Sequence, residues 1–249
     1  MDSPTGIRSE TIDRVILITF DRATTENAFN RSMFAAFHEV LDAAEHDDSV
    51  AAIVLTGAKV VFSAGIDPEV FEDLRPQYAM DSIYRLMVRL ATLTKPLIAA
   101  ANGPSAGFGA TLQLHCDLVF ASPQATFRFS FLEHGIAPDA GSSILLETFL
   151  GRRMAFELML TGREIPPIEA KEIGLVTRIV PSHDLLATAL QAAQAIALYP
   201  PTAVRETLIL MRSASREAAM WGIEREMDAL NRLVPGFLVR RRERLDVSS

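Results

Sequence analysis

Apolar and polar positions change period several times along the chain, and each change marks an element. VILITF (15–20) is a β-branched run that predicts a buried strand. The polar TTENAFN (24–30) predicts a turn. Over 31–47, Met33, Phe34, Phe37, Val40, Leu41 and Ala44 fall on one side of a helix. AAIVLTG (51–57) is the next strand, closed by Gly57. The order β, α, β implies a sheet with crossover helices, an α/β fold.

Further on, VVFSAGIDPEVFEDL (60–74) reads as a loop entering a short helix, with Asp67 and Pro68 as its N-cap pair. Residues 82–93 read as a helix, PLIAAANG as a strand running into a loop, and GATLQLHC as a helix. DLVFAS (117–122) and the alternating ATFRFS (125–130) read as strands. Two helices broken near Gly151 are expected over 143–162, and a strand over 175–181 that is stopped by proline. From residue 182 the pattern is helical, in three segments, with Pro200-Pro201 as a hinge or helix start. This divides the chain into an α/β part, 1–181, and a helical part, 182–249.

Composition narrows the classes. With 249 residues, 49% of them hydrophobic, the chain can bury a large core. A net charge of -7 and a pI near 5.3 argue against a nucleic-acid binder, which needs a basic surface. The single cysteine, Cys116, allows no intrachain disulfide and no zinc framework, which suits a reducing, cytoplasmic setting. The polar start MDSPTGIRSE has no apolar signal core. Residues 96–116 lack charge, but Asn102, Gly103, Pro104, Gly107, Gly109 and His115 oppose a lipid-exposed helix, so no membrane span is expected.

Chemistry is suggested by two stretches of one form, strand, glycine loop, helix: VLTGAKVVFSAGID and IAAANGPSAGFGAT. Neither is a dinucleotide fingerprint, since GFGATL lacks the last glycine, and no P-loop or G-x-S-x-G elbow occurs. Each can expose backbone N–H groups near a helix start. Two such donors on one oxygen form an oxyanion hole, which needs no ionisable side chain.

With NAFN (27–30), FSAGID (62–67), 101–122, 125–143 and 158–181 in this order, the chain resembles the crotonase family, the enoyl-CoA hydratase/isomerase superfamily, over roughly residues 10–240. The resemblance implies a spiral of ββα units and a C-terminal helical region that mediates trimers, commonly paired into hexamers. It implies an acyl-CoA thioester as substrate and no cofactor beyond the coenzyme A that the substrate carries; no metal is expected. The implied donors to the thioester oxygen are the N–H groups of Ile66 and Phe108. Weaker implied contacts to the coenzyme are the backbone near Ala28 and Ala64, and Phe237 and Arg240 approaching from a neighbouring subunit.

The acids select the reaction. Family hydratases use two glutamates, whose matching positions here are Thr111 and Phe131, both assigned to the substrate pocket. Asp139, directly after Pro138, matches the single base of the branch that moves double bonds, the Δ3,Δ2-enoyl-CoA isomerases and the ring-opening isomerases of phenylacetate breakdown. Read locally, Asp139 is an N-cap for a helix starting near Gly141. The same position is the nucleophile of aryl-CoA dehalogenases, but the tryptophan of that branch is Phe131 here, and the sole tryptophan, Trp221, lies in the helical part. Glu133 is the second-choice acid, on the face of Phe131 if the strand from 125 persists that far. His134 reads as a surface residue, and Glu69 stands where some hydratases have a lysine near the CoA phosphates. RRRER (240–244) reads as a solvated basic tail. The expectation is an isomerase shifting a C3 double bond to C2, with a hydratase of unusual acid/base residues or a catalytically degraded acyl-CoA binder as alternatives.

Overall fold

A computed structural model describes residues 3–72 and 79–248. Its strands are β1 (Ile7–Ile12), β2 (Val15–Phe20), β3 (Ala52–Gly57), β4 (Leu97–Ala101), β5 (Ser105–Ala106), β6 (Leu118–Ala121), β7 (Phe127–Arg128) and β8 (Arg178–Ile179). Six of them form one sheet in the order β1-β2-β3-β4-β6-β8, and β5 pairs with β7. Among these strand pairs only β1–β2 is antiparallel. The helices are α1 (Arg31–His46), α2 (Glu69–Glu72), α3 (Ala79–Thr92), α4 (Phe108–Thr111), α5 (Phe131–His134), α6 (Ser142–Leu150), α7 (Arg152–Thr161), α8 (Pro167–Glu172), α9 (Leu185–Ala197) and α10 (Pro201–Ser248).

The central strands are apolar throughout because both faces are covered. Ile18, Phe20, Ile53, Leu55, Leu97 and Ala99 point into the larger core, with α1, α3, α6 and α10. Their alternates Val15, Leu17, Ala52, Val54, Ile98 and Ala100 meet Leu185, Ala189 and Ala193 of α9. The helical part therefore contributes to both cores: α9 seals one face of the sheet, and Ile223, Leu230 and Phe237 of α10 enter the other core.

Several sequence expectations are corrected. The strand β1 is an edge strand with a mostly exposed, polar face, so its apolar signal is weak. The strand expected over 125–130 pairs only at Phe127–Arg128, because its partner β5 is two residues long, and the chain then turns into α5. The strand expected over 175–181 is reduced to Arg178–Ile179. The last two helical segments are one helix, α10: Ser213 and Ser215 do not interrupt it, because their hydroxyls bond back to the Leu210 and Arg212 carbonyls at 2.8 and 3.1 Å. Of the loop and helix expected over 60–74, residues 73 and 74 lie outside the described residues, as does the side chain of Arg244 in the basic tail. Among the described residues no helix is long and apolar enough to cross a membrane.

A cluster of phenylalanines ties the first glycine loop to the sheet. The ring of Phe29 lies 4.9 Å from Phe20, 5.3 Å from Phe34 and 5.0 Å from Phe108, all fully buried. Phe29→Ala is expected to cost about 3–5 kcal/mol, read as a lower urea midpoint with an unchanged slope.

Candidate active site

The two glycine loops fold against each other, backbone to backbone. Ala106 N–H donates to the Ser63 carbonyl at 2.9 Å, and Phe62 N–H to the Pro104 carbonyl at 3.0 Å. Phe29 N–H donates to Gly65 O at 2.7 Å, and Gly107 N–H to Arg128 O at 3.0 Å. This packing requires glycine at 65. Its φ is +100°, and a Cβ there would lie 2.8 Å from Ala106 O and 3.4 Å from Phe108 N. At Gly109 a Cβ would lie 2.4 Å from Ser63 O.

Beside this contact is an open cleft lined by Ala64, Ile66, Phe108, Phe131, Asp139 and Phe237, with His134 at its side. Among the described residues, neither Ile66 N–H nor Phe108 N–H meets an acceptor in the protein. The Phe108 ring is fully buried against Phe29 and Phe34, which anchors the peptide whose N–H stays free. The pair expected from the sequence is thus brought to one cleft.

Asp139 is the one carboxylate among the residues lining the cleft. It is 3% exposed. Thr111 Oγ donates to its Oδ1 at 2.5 Å. Burial, opposed by that hydrogen bond and reinforced by the negative charge of Glu226, pushes its pKa up to about 7. The carboxylate does not cap α6: Gly141 occupies the N-cap, and Glu226 of α10 takes the helix N–H groups instead, from Gly141 at 2.6 Å and Ser143 at 2.8 Å. Burial raises the pKa of Glu226 as well. His115 contacts the Ala140 carbonyl through Nε2 at 2.7 Å. Burial lowers its pKa to about 4, so the ring is neutral and Nε2–H is the donor.

Other expected residues are distributed unevenly. Phe131 and Phe237 line the cleft. Thr111 does not; it is fully buried beneath it and serves Asp139. Ala28 is also off the cleft, with its N–H donated to Thr25 O at 3.0 Å and its carbonyl accepting from Arg22 at 3.1 Å. Ala64 lines the cleft, but its N–H is donated to Glu26 O at 2.9 Å. Phe237 and Arg240 come from the same chain: Phe237 packs on Phe71 at 5.4 Å, and Arg240 lines an adjoining recess with Pro68, His134 and Arg241. Glu133, the second-choice acid, is not among the residues lining the cleft. It lies on α5 rather than on a strand, is half-exposed, and pairs with Arg128, away from the cleft. Asp67 caps α2 through Glu69 N–H at 3.0 Å and pairs with Arg22 at 2.6 Å. Glu226 and His115 were missed. The available signal was an acid inside the apolar stripe Ala219, Ile223, Leu230, Val234.

A model of the family described as Enoyl-CoA hydratase/isomerase matches residues 10–234. The chain is 34% identical over 214 residues to 2,3-dehydroadipyl-CoA hydratase of Escherichia coli, covering 86% of this chain and 84% of that protein. It is 37% identical over 196 residues to 1,2-epoxyphenylacetyl-CoA isomerase of Escherichia coli, covering 75% and 74%. It is 37% identical over 201 residues to 4-chlorobenzoyl coenzyme A dehalogenase-2 of an Arthrobacter species, covering 78% and 73%. In structure it is similar to an enoyl-CoA hydratase/isomerase from Pseudoalteromonas atlantica, with TM-score 0.88 and 33% identity over 92% of this chain and 91% of that one.

The raised pKa of Asp139 has a definite effect on stability. Below the usual carboxyl range, near 4, both folded and unfolded chains hold the proton. Between there and 7 only the folded chain holds it, so stability falls as pH rises, then levels off. Asp139→Asn removes this slope. Urea unfolding is expected to find the variant and the parent alike at pH 4, and the variant more stable at pH 8, by as much as about 4 kcal/mol.

Proposed function

The chain belongs to the enoyl-CoA hydratase/isomerase family, and on that premise we propose that it is an acyl-CoA isomerase that moves a double bond from C3 to C2. One observation carries the reading: a single buried carboxylate, Asp139, faces a cleft that also holds two free backbone donors. Ile66 and Phe108 N–H donate to the thioester oxygen and stabilise the negative charge that develops on it as a C2 proton leaves. Asp139 takes that proton and returns it at C4. A base with a pKa near 7 is half-loaded at neutral pH, which suits a group that must both remove and restore a proton. Phe131 and Phe237 keep the cleft apolar and limit water beside the enolate.

A hydratase reading draws on the hydratase among the relatives. It needs a second acid/base group beside Asp139, and Glu133 is turned away onto Arg128. Arg240 and Arg241, at the recess that continues the cleft, supply positive charge suited to the phosphates of coenzyme A. In this proposal the protein works as a cytoplasmic homotrimer or dimer of trimers. The exposed Leu210, Met211 and Trp221 of α10 offer apolar surface for such contacts, while Leu208 and Met220 are partly buried within the chain.

The purified protein is expected to convert trans-3-hexenoyl-CoA to the conjugated 2-enoyl-CoA, followed by its ultraviolet absorbance, and Asp139→Asn to lose at least about a hundredfold in kcat/KM. In the parent, kcat/KM should rise with pH as Asp139 ionises and reach a plateau above about 7. Equal rates in parent and variant would remove Asp139 from the chemistry.

A further inference from the structure

The turn after Asp139 is held in an unfavourable conformation. Ala140 has φ 56° and Gly141 φ 74°, two consecutive left-handed residues, one of them bearing a Cβ. A non-glycine residue there costs about 1–2 kcal/mol and persists only where its surroundings enforce it. Two side chains do so, from different elements: the partly buried His115 and the buried Glu226. His115 donates to the Ala140 carbonyl, and Glu226 accepts from Gly141 and Ser143. Glu226 stands 85 residues from Gly141 in the chain, where a local serine or aspartate would ordinarily cap the helix.

Glu226 is 5% exposed, and among the described residues no cation lies within salt-bridge distance of it. A buried carboxylate without a cation is costly, and here hydrogen bonds from two backbone N–H groups offset part of that cost. The approach that makes them possible is close. A Cβ on Gly222 of α10 would lie 3.3 Å from Gly141 Cα, and one on Gly141 would lie 3.0 Å from Ala219 O. Helix α10 thus docks its backbone on the turn that carries Asp139.

We propose that Glu226 is a positioning residue for Asp139: from α10 it holds the turn that aims the carboxylate into the cleft. The inference rests on reading Asp139 as the base. The groups facing Asp139 are the Thr111 hydroxyl, Glu226, and His134 beside the cleft, with neutral His115 on the next carbonyl. Around Glu226 stand Ser143 of α6 and Arg225, Asp228 and Arg232 of its own helix. Both Glu226 oxygens accept N–H bonds at a helix N-terminus, which favours its ionised form against the opposing effect of burial.

The test uses two variants and two readouts. Carboxyl carbon-13 NMR, with the Asp139 signal assigned against Asp139→Asn, follows the titration of Asp139 without reference to activity. In Glu226→Gln the Asp139 midpoint should fall by at least about half a pH unit, because a neighbouring negative charge is gone. With trans-3-hexenoyl-CoA, kcat should fall at least about tenfold while KM changes less than about twofold, as for a group acting in the transition state alone. Gly222→Ala keeps every charge but crowds the turn, because its Cβ would lie 3.3 Å from Gly141 Cα and α10 and the turn must move slightly apart. Alanine favours a helix over glycine by about 1 kcal/mol, which offsets the cost of that crowding, and the urea midpoint of each variant shows that it is folded. A merely structural α10 predicts a Gly222→Ala protein that is at least as stable and fully active. Positioning predicts a stable protein with lower kcat and a lower Asp139 midpoint. An unchanged midpoint and kcat in either folded variant overturns the proposal. A shifted midpoint in a protein that turns over no enoyl-CoA supports the role of Glu226 and overturns the isomerase reading instead.

Discussion

The site depends on the backbone of residues 63–66 lying directly against the backbone of residues 105–108. That contact is possible only because Gly65 and Gly109 carry no Cβ; at either position a methyl group would fall within 2.8 Å of a carbonyl oxygen. Two loops from adjacent parallel strands, β3 and β4, thereby present two unspent N–H groups to one cleft. The donors are fixed in place before any substrate arrives. The phenylalanine cluster below them and the β5–β7 pairing beside them hold their positions. Fixed donors need not reorganise as charge develops, which is why such a pair is effective.

Asp139 lines the same cleft, at a cost to the fold. Its carboxyl is buried, bonded to a single hydroxyl, and set near a second buried acid. Each of burial and like charge disfavours the ionised form, so the fold is less stable than it would be with a neutral group there. In return the group changes protonation state in the range where a proton shuttle operates. The left-handed turn at Ala140 and Gly141 is a second local cost at the same place, held by His115 and by Glu226 of the final long helix.

Much of this could be read from the sequence, and the exceptions have physical reasons. The buried strands 15–20 and 51–57 and the helix from Arg31 were legible because their apolar periods are long and regular. The strand β1 was not, since an edge strand facing solvent shows little apolar pattern. That Ile66, Phe108 and Asp139 meet in one cleft was legible through a resemblance of motifs; local pattern alone gives glycine loops and a plausible helix cap. Thr111 was placed in the pocket, yet its hydroxyl serves Asp139 from beneath, a distinction that depends on side-chain direction. Glu133 shares a face with Phe131 only if the strand continues, and the strand ends at Arg128 because its partner is two residues long. Glu226 was not identified at all: the pairing spans 85 residues, and only the acid within an apolar stripe signals it.

The claim on which the rest turns is that one carboxylate moves a proton and no water is added to the substrate. The most direct measurement is turnover of trans-3-hexenoyl-CoA in water enriched in oxygen-18, with the product analysed by mass spectrometry. A single-base isomerase yields the 2-enoyl-CoA at unchanged mass, free of the heavy isotope. Failure to turn over trans-3-hexenoyl-CoA, with oxygen-18 entering trans-2-hexenoyl-CoA offered in its place to give 3-hydroxyhexanoyl-CoA, would contradict the account and make the protein a hydratase, because water adds across a C2–C3 double bond that the 3-enoyl ester lacks.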